Sequence, residues 1–206
     1  MAYPTVSAPY GLKPINLIGG QVFAGATRQL PITTSSVNYN TAMFYGDVVQ
    51  LTSTGTVIIS TLATQSSPVA GVIGVFLGCS YTNPATKQKV FQQYWPGYAS
   101  GVTDAVAIVC DDPDTLFQVA SVSSGTTVAF YGQTLVGNNV SLILNSGSTT
   151  TGDSAIAIDG TSAVTTSLPM RIVAAVPETA NSSGNFCEWV VKFNFGYHSY
   201  YNATGV

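Results

Sequence analysis

The chain has 206 residues, enough for one large β domain or two small ones, and 46% of them are hydrophobic. Only 7% are Asp, Glu, Lys or Arg, against about 25% in an ordinary soluble domain. Six basic residues and a net charge of −3 give no basic footprint for nucleic acid, which excludes nucleic-acid binding. A surface with so few charges is typical of a protein that packs against other proteins and indicates a structural role.

Residues 1–20 are predicted to form an extended N-terminal arm. Pro4, Pro9 and Pro14 recur at five-residue spacing, and proline at this density excludes a helix or a central strand. The segment is also apolar, so it needs a partner surface to cover it, and we expect residues 1–18 to be removable without unfolding the body. The first residues do not form a signal peptide, which predicts synthesis in the cytoplasm.

Residues 21–206 are predicted to form a single β-rich body. Runs rich in Val, Ile, Thr, Phe and Tyr alternate with turns that contain Gly, Asn, Ser and Asp. Helix is expected only as a short turn near residues 41–45 or 113–117. The spacing of the strands predicts an all-β fold, an antiparallel β-sandwich or barrel of the jelly-roll kind. The predicted strands are 28–32, 47–51, 56–59, 69–77, 90–95, 105–110, 116–120, 127–131, 140–144, 155–159, 170–176 and 188–195.

Two stretches of unusual composition interrupt this pattern. Residues 138–167 are rich in Ser, Thr, Gly and Asn and are predicted to be a β excursion, with a hairpin between 140–144 and 155–159. The longest apolar run, residues 69–77, is too short to span a bilayer and is broken by two glycines. No membrane partner is therefore expected.

Residues capable of catalysis are few and scattered. The three cysteines lie in apolar runs without metal or redox spacing, which predicts buried thiols. The lone His198 lies among tyrosines and is predicted to be a packing or interface residue. No nucleophile elbow or phosphate loop is present. We therefore expect no enzyme activity, catalytic residue, cofactor or metal. The cysteines are Cys79, Cys110 and Cys187.

Asp111, Asp112 and Asp114 form the one acidic cluster of the chain. Aspartates beside a proline cap local backbone N–H groups and favour a turn. Carboxylate oxygens also suit calcium, but the spacing matches no EF-hand loop. A turn is the favoured interpretation, and ion binding stays open.

Aromatic residues in or beside turns are the remaining indication of function. Eleven tyrosines outnumber the six basic residues. Tyrosine and tryptophan are enriched in protein interfaces and also form stacking platforms for sugars, although β-sheet packing accounts for many of them. The predicted interface aromatics are Tyr94, Trp95, Tyr98, Tyr197, Tyr200 and Tyr201.

Four segments carry a resemblance to a known group of proteins. They are SAPYGLKP at residues 7–14, YNTAMFYGDVV at 39–49, VAGVIGVFLGCSY at 69–81 and FQQYW at 91–95. Residues 1–120 resemble small structural proteins of tailed bacteriophages, especially those of cyanobacteria and other aquatic bacteria, and the likeness fades in the Ser/Thr-rich part.

The resemblance implies a capsid decoration, or cement, protein on the outer surface of the virion. Such a protein is made in the host cytoplasm and stabilises contacts between major capsid subunits. Its partners are the major capsid protein and itself, with a homotrimer favoured over a dimer. A carbohydrate-binding or host-attachment protein of the virion exterior is the alternative. The capsid-binding residues implied for the arm are Tyr3, Pro4, Pro9, Tyr10, Leu12, Pro14 and Ile15.

Overall fold

Short strands joined by turns make up the chain in the computed structural model, which describes residues 8–33, 41–61, 71–97, 101–180 and 185–206. The strands are β1 (Lys13–Leu17), β2 (Arg28–Pro31), β3 (Val48–Leu51), β4 (Val57–Ile59), β5 (Val72–Thr82), β6 (Lys89–Gln92), β7 (Val106–Cys110), β8 (Thr115–Ser124), β9 (Thr127–Val128), β10 (Asn139–Val140), β11 (Leu142–Ile143), β12 (Ala157–Asp159), β13 (Met170–Ala175) and β14 (Glu188–Phe193). The described helical segments are three 3₁₀ turns at Gln133–Leu135, Gly160–Ser162 and Ser199–Tyr201.

The strands form two sheets that pack together as a β-sandwich, as the sequence predicts. One sheet has the order β10-β13-β14-β8-β12-β11, with β1 and β9 also paired to β8. The other has the order β2-β7-β5-β3-β4, with β6 paired to β5. The pairs are antiparallel except for β8 and β12, which run parallel, so the first sheet is mixed. The predicted hairpin in the Ser/Thr-rich excursion is confirmed by the antiparallel pairing of β11 with β12.

The six-stranded sheet is buried on both faces because successive side chains of a strand point to opposite sides. Val48, Val72 and Val75 face the eight-stranded sheet and belong to the core between the sheets. Their chain neighbours face a second core cluster on the other side. The bridge between Ile32 and Val57 joins the continuation of β2 to β4, so this sheet curls around the second cluster.

The two predicted helical turns are wrong. Residues 41–45 contain two isolated bridges, Met43 with Trp95 and Tyr45 with Asp153. At residues 113–117, Thr115 already begins β8. Bridges at Met43 and Tyr45 and strand pairing from Thr115 onward use the backbone groups that a helix would have used, and residues 112–115 form a single tight turn with a hydrogen bond of 3.1 Å from the Thr115 N–H to the Asp112 carbonyl.

The predicted arm over residues 1–20 is wrong for its second half. Lys13–Leu17 form β1, which pairs with β8 in antiparallel register from Lys13 opposite Gln118 to Leu17 opposite Thr115. The prolines exclude a central strand, but β1 is an edge strand, where a missing N–H is tolerated. Leu12 is 0% exposed and belongs to the core between the sheets. This part of the segment is therefore covered by its own body.

Two glycines allow the N-terminal segment to enter the body. Gly11 and Gly46 have φ values of +82° and +95°, which favour glycine. A Cβ on Gly11 would lie 2.6 Å from the Cβ of Ser154, and one on Gly46 would lie 2.9 Å from the nitrogen of Leu12. The crossing is fixed by a hydrogen bond of 3.0 Å from the Leu12 N–H to the Gly46 carbonyl. This close approach seats Leu12 in the core.

Candidate functional site

The predicted interface aromatics differ widely in their solvent exposure. Trp95 and Tyr197 are each 1% exposed. They are core residues, and the prediction that they contact a partner is wrong because their rings are already covered. Tyr94 is half-buried, and Tyr98 lies outside the described residues.

The predicted contact residues of the N-terminal arm do not form one exposed surface. Tyr3 and Pro4 lie outside the described residues, and Pro9 is buried. The half-buried Tyr10 donates a hydrogen bond of 2.5 Å to Glu188 Oε1. The remaining residues of the set belong to the glycine crossing or to β1, namely Leu12, Pro14 and Ile15.

Four exposed apolar residues are linked to the loop at residues 111–114 or to one another, and we name them the tail patch: Ile18, Phe195, Tyr200 and Tyr201. Their exposed fractions are 50%, 77%, 47% and 37%. The rings of Phe195 and Tyr201 are stacked, with centroids 6.3 Å apart and planes 24° apart. Contiguous exposed apolar side chains mark interaction sites on soluble proteins, so the tail patch is the candidate functional site.

The tail patch is built on the acidic loop, residues 111–114, which joins β7 to β8. Tyr200 Oη donates to Asp111 Oδ2 at 2.7 Å, and Tyr201 Oη donates to Asp114 Oδ1 at 3.1 Å. The backbone N–H of Ile18 donates to the Asp114 carbonyl at 2.9 Å. Residues far apart in the chain therefore meet on one loop.

The carboxylates of the acidic loop are engaged within the chain. Arg28 Nε lies 2.8 Å from Asp111 Oδ2, and Lys192 Nζ lies 3.3 Å from Asp114 Oδ1. Asp112 Oδ1 accepts a hydrogen bond of 2.9 Å from the Asp114 N–H, the capping contact predicted for a turn. No group of three potential metal ligands occurs in the part of the chain that the structure describes. The loop is a turn that holds the tail patch.

His198 lies beneath the tail patch and is 0% exposed. Its Nδ1 accepts a hydrogen bond of 3.2 Å from the N–H of Tyr200, which caps the 3₁₀ turn Ser199–Tyr201. Burial lowers the pKa of the imidazole, although nearby backbone groups and the carboxylates of Asp111 and Asp112 act the other way. A buried neutral imidazole is a packing residue, as the sequence predicts.

The phenols of the tail patch stay protonated at neutral pH. Partial burial and the hydrogen bond to Asp111 raise the pKa of Tyr200 to about 12. The hydrogen bond to Asp114 raises the pKa of Tyr201. Both side chains therefore act as hydrogen-bond donors to carboxylates and carry no charge of their own.

The three cysteines are buried and unpaired, which confirms the prediction of buried thiols. Burial raises the pKa of the Cys79 thiol to about 12 and also raises those of Cys110 and Cys187. Because the thiolate is the reactive form, these groups are poor nucleophiles in the folded chain.

The exposed apolar residues that sequence reasoning did not assign to an interface include Ile18, Phe195 and Phe91. Phe91 lies on β6 and is 75% exposed, away from the tail patch. Phe195 lies two residues beyond the end of β14 and continues its alternation, so the sequence predicted a strand residue there. The Phe195 ring is in solvent because the pairing of β14 with β13 ends at Phe193.

No helix among the described residues has the length and apolar character needed to cross a membrane. Comparisons with protein-family models, curated proteins and solved structures find no match for this chain.

Proposed function

We propose that the chain is a structural virion protein that binds the outer surface of a phage capsid and stabilises contacts between major capsid subunits. The observation that carries the proposal is the tail patch. It presents four exposed apolar side chains, while the carboxylates of Asp111 and Asp114 beside it are paired with Arg28 and Lys192. The resemblance of residues 1–120 to phage structural proteins supplies the identity of the partner.

The chemistry of the tail patch suits a protein partner. Aromatic residues are enriched and charges are depleted at the centres of protein interfaces. A stacked pair such as Phe195 and Tyr201 buries a large area with little loss of side-chain entropy. Since little of the attraction would be Coulombic, binding should persist at high salt.

A capsid surface also compensates for the small size of the patch. Four side chains give weak attachment for one subunit, but a homotrimer would present three patches to a symmetric shell. Each additional contact then forms at a high effective concentration, so the trimer binds much more tightly than one subunit. A dimer would gain less by the same mechanism.

One feature of the same patch favours the second candidate function, binding of carbohydrate on the virion exterior. The nearly parallel rings of Phe195 and Tyr201 lie beside the carboxylate of Asp114, whose side chain is 47% exposed. Sugars stack on aromatic faces while carboxylates accept hydrogen bonds from their hydroxyls. Host attachment needs few copies per particle, whereas capsid stabilisation needs many.

Copy number in gradient-purified particles separates these functions. Quantitative mass spectrometry should find this chain at a simple ratio to the major capsid protein, such as one to one or one to three. A handful of copies per particle would favour attachment at the tail or a vertex. Absence from particles would reject both functions.

A matched pair of variants tests the contact surface. Phe195 and Phe91 are 77% and 75% exposed but lie on different surfaces. We expect Phe195→Ser to weaken binding to particles stripped of this protein by at least about tenfold, the loss typical of an aromatic interface anchor. Phe91→Ser should bind like the wild type. The reverse result would move the contact surface to β6, and equal binding by both variants would remove the tail patch from the proposal.

A further inference from the structure

We infer that His198 is a positioning residue for the tail patch: only as neutral imidazole does it hold the turn Ser199–Tyr201 on the body, so mild acid releases the patch. The role of the patch in capsid binding rests on the proposed function. The hold of His198 on the turn is a property of the isolated chain and can be tested without a partner.

The hydrogen bond at Nδ1 requires the neutral ring. Nδ1 accepts from the N–H of Tyr200 at 3.2 Å, and the N–H of Tyr201 donates to the His198 carbonyl at 2.9 Å. An acceptor nitrogen carries no hydrogen, so the hydrogen of this tautomer is on Nε2. Protonation would place a second donor against the Tyr200 N–H and break the cap.

Burial of the ring outweighs the groups near His198 that would favour its charged form. Nε2 is buried and makes no hydrogen bond of normal geometry with any group among the described residues. Backbone groups of Ile73 and Asp111 lie close enough to favour the charged form, but burial outweighs them. The ring is enclosed by Phe193, Tyr200 and Tyr201, with centroid distances of 5.7, 5.1 and 6.5 Å. Ionisation of this ring therefore opposes the docked arrangement.

The charged groups around His198 do not make protonation of the docked ring favourable. The carboxylates of Asp111 and Asp112 favour the imidazolium. Asp111 is already paired with Arg28, whose positive charge offsets it. From β5, the neighbouring residues Val72 and Ile73 contribute no ionisable side chain. The remaining titratable neighbours are Tyr200 and Tyr201, which are neutral, and Lys192, which pairs with Asp114.

Release of the turn would dismantle the tail patch because the turn carries two of its four residues. Tyr200 and Tyr201 are held by His198 from below and by the acidic loop from the side. Phe195 is ordered by its stack on Tyr201. In the released state the imidazole regains an ordinary pKa of about 6.5, so acid favours release below that pH.

Amide hydrogen exchange of the full-length protein tests the inference. We would measure protection factors, which remove the intrinsic pH dependence of exchange, for the Tyr200 and Tyr201 amides at pH 7.5 and pH 5.0. One proton taken up on release gives a rise in the open population of up to about tenfold per pH unit below about pH 6.5. Protection at both amides should therefore fall with acid, by up to about 30-fold at pH 5.0. The Val190 and Val191 amides in β14 serve as the internal reference.

Two variants separate the imidazole from general acid destabilisation. His198→Asn keeps an oxygen that can cap the turn and cannot be protonated in this range. Its protection should be lower at both pH values because of the cavity, but should not change between them. His198→Phe fills the space without a cap and should be unprotected at both pH values. If His198→Phe does not fold, the wild type and His198→Asn decide the question.

The inference is overturned if wild-type protection is the same at both pH values, or if His198→Asn loses protection with acid as strongly as the wild type. Binding to stripped particles at the two pH values is a separate readout. Exchange that responds to acid while binding does not would support the role of His198 and reject the tail patch as the capsid contact. Loss of both in the wild type, and of neither in His198→Asn, would support both proposals.

Discussion

Replacement of Leu12 by alanine should strongly destabilise the body, although Leu12 lies within the first twenty residues. Its side chain is 0% exposed and packs in the core between the two sheets. Removing a fully buried leucine side chain costs about 2–5 kcal/mol, the sum of lost transfer free energy and the cavity left behind. The glycine crossing fixes the backbone on both sides of Leu12, so the cavity cannot collapse easily. We therefore expect a loss of about 3 kcal/mol in the free energy of unfolding.

Urea unfolding followed by tryptophan fluorescence measures this loss. Both tryptophans are buried, Trp189 in the core between the sheets and Trp95 in the second cluster, so the signal reports on the whole body. Ile18→Ala is the matched control, because Ile18 is 50% exposed and should cost less than about 1 kcal/mol. A loss below about 1 kcal/mol for Leu12→Ala, or one equal to the control, would refute the assignment of this segment to the core.

Further predictions concern charge and backbone. Burial raises the pKa of Asp47 from 3.8 to about 6. The folded state therefore prefers the protonated acid, and the wild type loses stability as pH rises from about 4 to 6. Asp47→Asn lacks this loss, so its free energy of unfolding relative to the wild type should rise by about 2.5 kcal/mol from pH 4 to pH 8 in urea titrations. Gly46→Ala should lower the free energy of unfolding by at least about 2 kcal/mol, because its φ is +95° and its Cβ would contact backbone. Arg28→Ala should lower the free energy of unfolding by about 1 kcal/mol, because Asp111 loses its ion pair and keeps only the hydrogen bond from Tyr200. Asp111 then holds Tyr200 less firmly, so protection of the Tyr200 amide should fall. The same pH dependence in Asp47→Asn as in the wild type, or unchanged stability in Gly46→Ala or Arg28→Ala, would contradict the reasoning for that residue.

The strands could be predicted because their signals are local. β14 alternates buried and half-buried residues along its whole length, which matches the period of a strand facing one core. β5 is an almost continuous apolar run, the pattern of a strand covered on both faces. In both cases the sequence within a few residues determines the outcome.

The N-terminal segment shows where local reasoning fails. Pro14 excludes a central strand, but whether the segment remains free depends on an available edge of β8, which begins at Thr115. The same limit applies to the glycine crossing, since nothing near Gly11 in sequence indicates that Gly46 lies against it. Pairings between distant segments are not encoded in the composition of either one.

Only part of the candidate site could be predicted, because its residues come from distant segments of the chain. The sequence singled out Tyr200, Tyr201 and the acidic cluster as separate features. The tyrosines could be explained by sheet packing and the aspartates by a turn. Their hydrogen bonds span more than eighty residues and join the features into one surface. Phe195 and Ile18 were missed because exposure depends on where strand pairing ends.

The distribution of the few charges connects the composition to the site. The chain has six basic and nine acidic residues, and two of the three ion pairs among the described residues lie on the acidic loop. These charges hold the tail patch in place, so they are not available to keep the molecule apart from its neighbours. Attraction between such surfaces comes from burial of apolar area. This attraction acts only at contact distance and is insensitive to salt. Binding of this kind is strongest on a surface that matches the patch closely, and under the proposed function an assembled shell would offer that surface many times over.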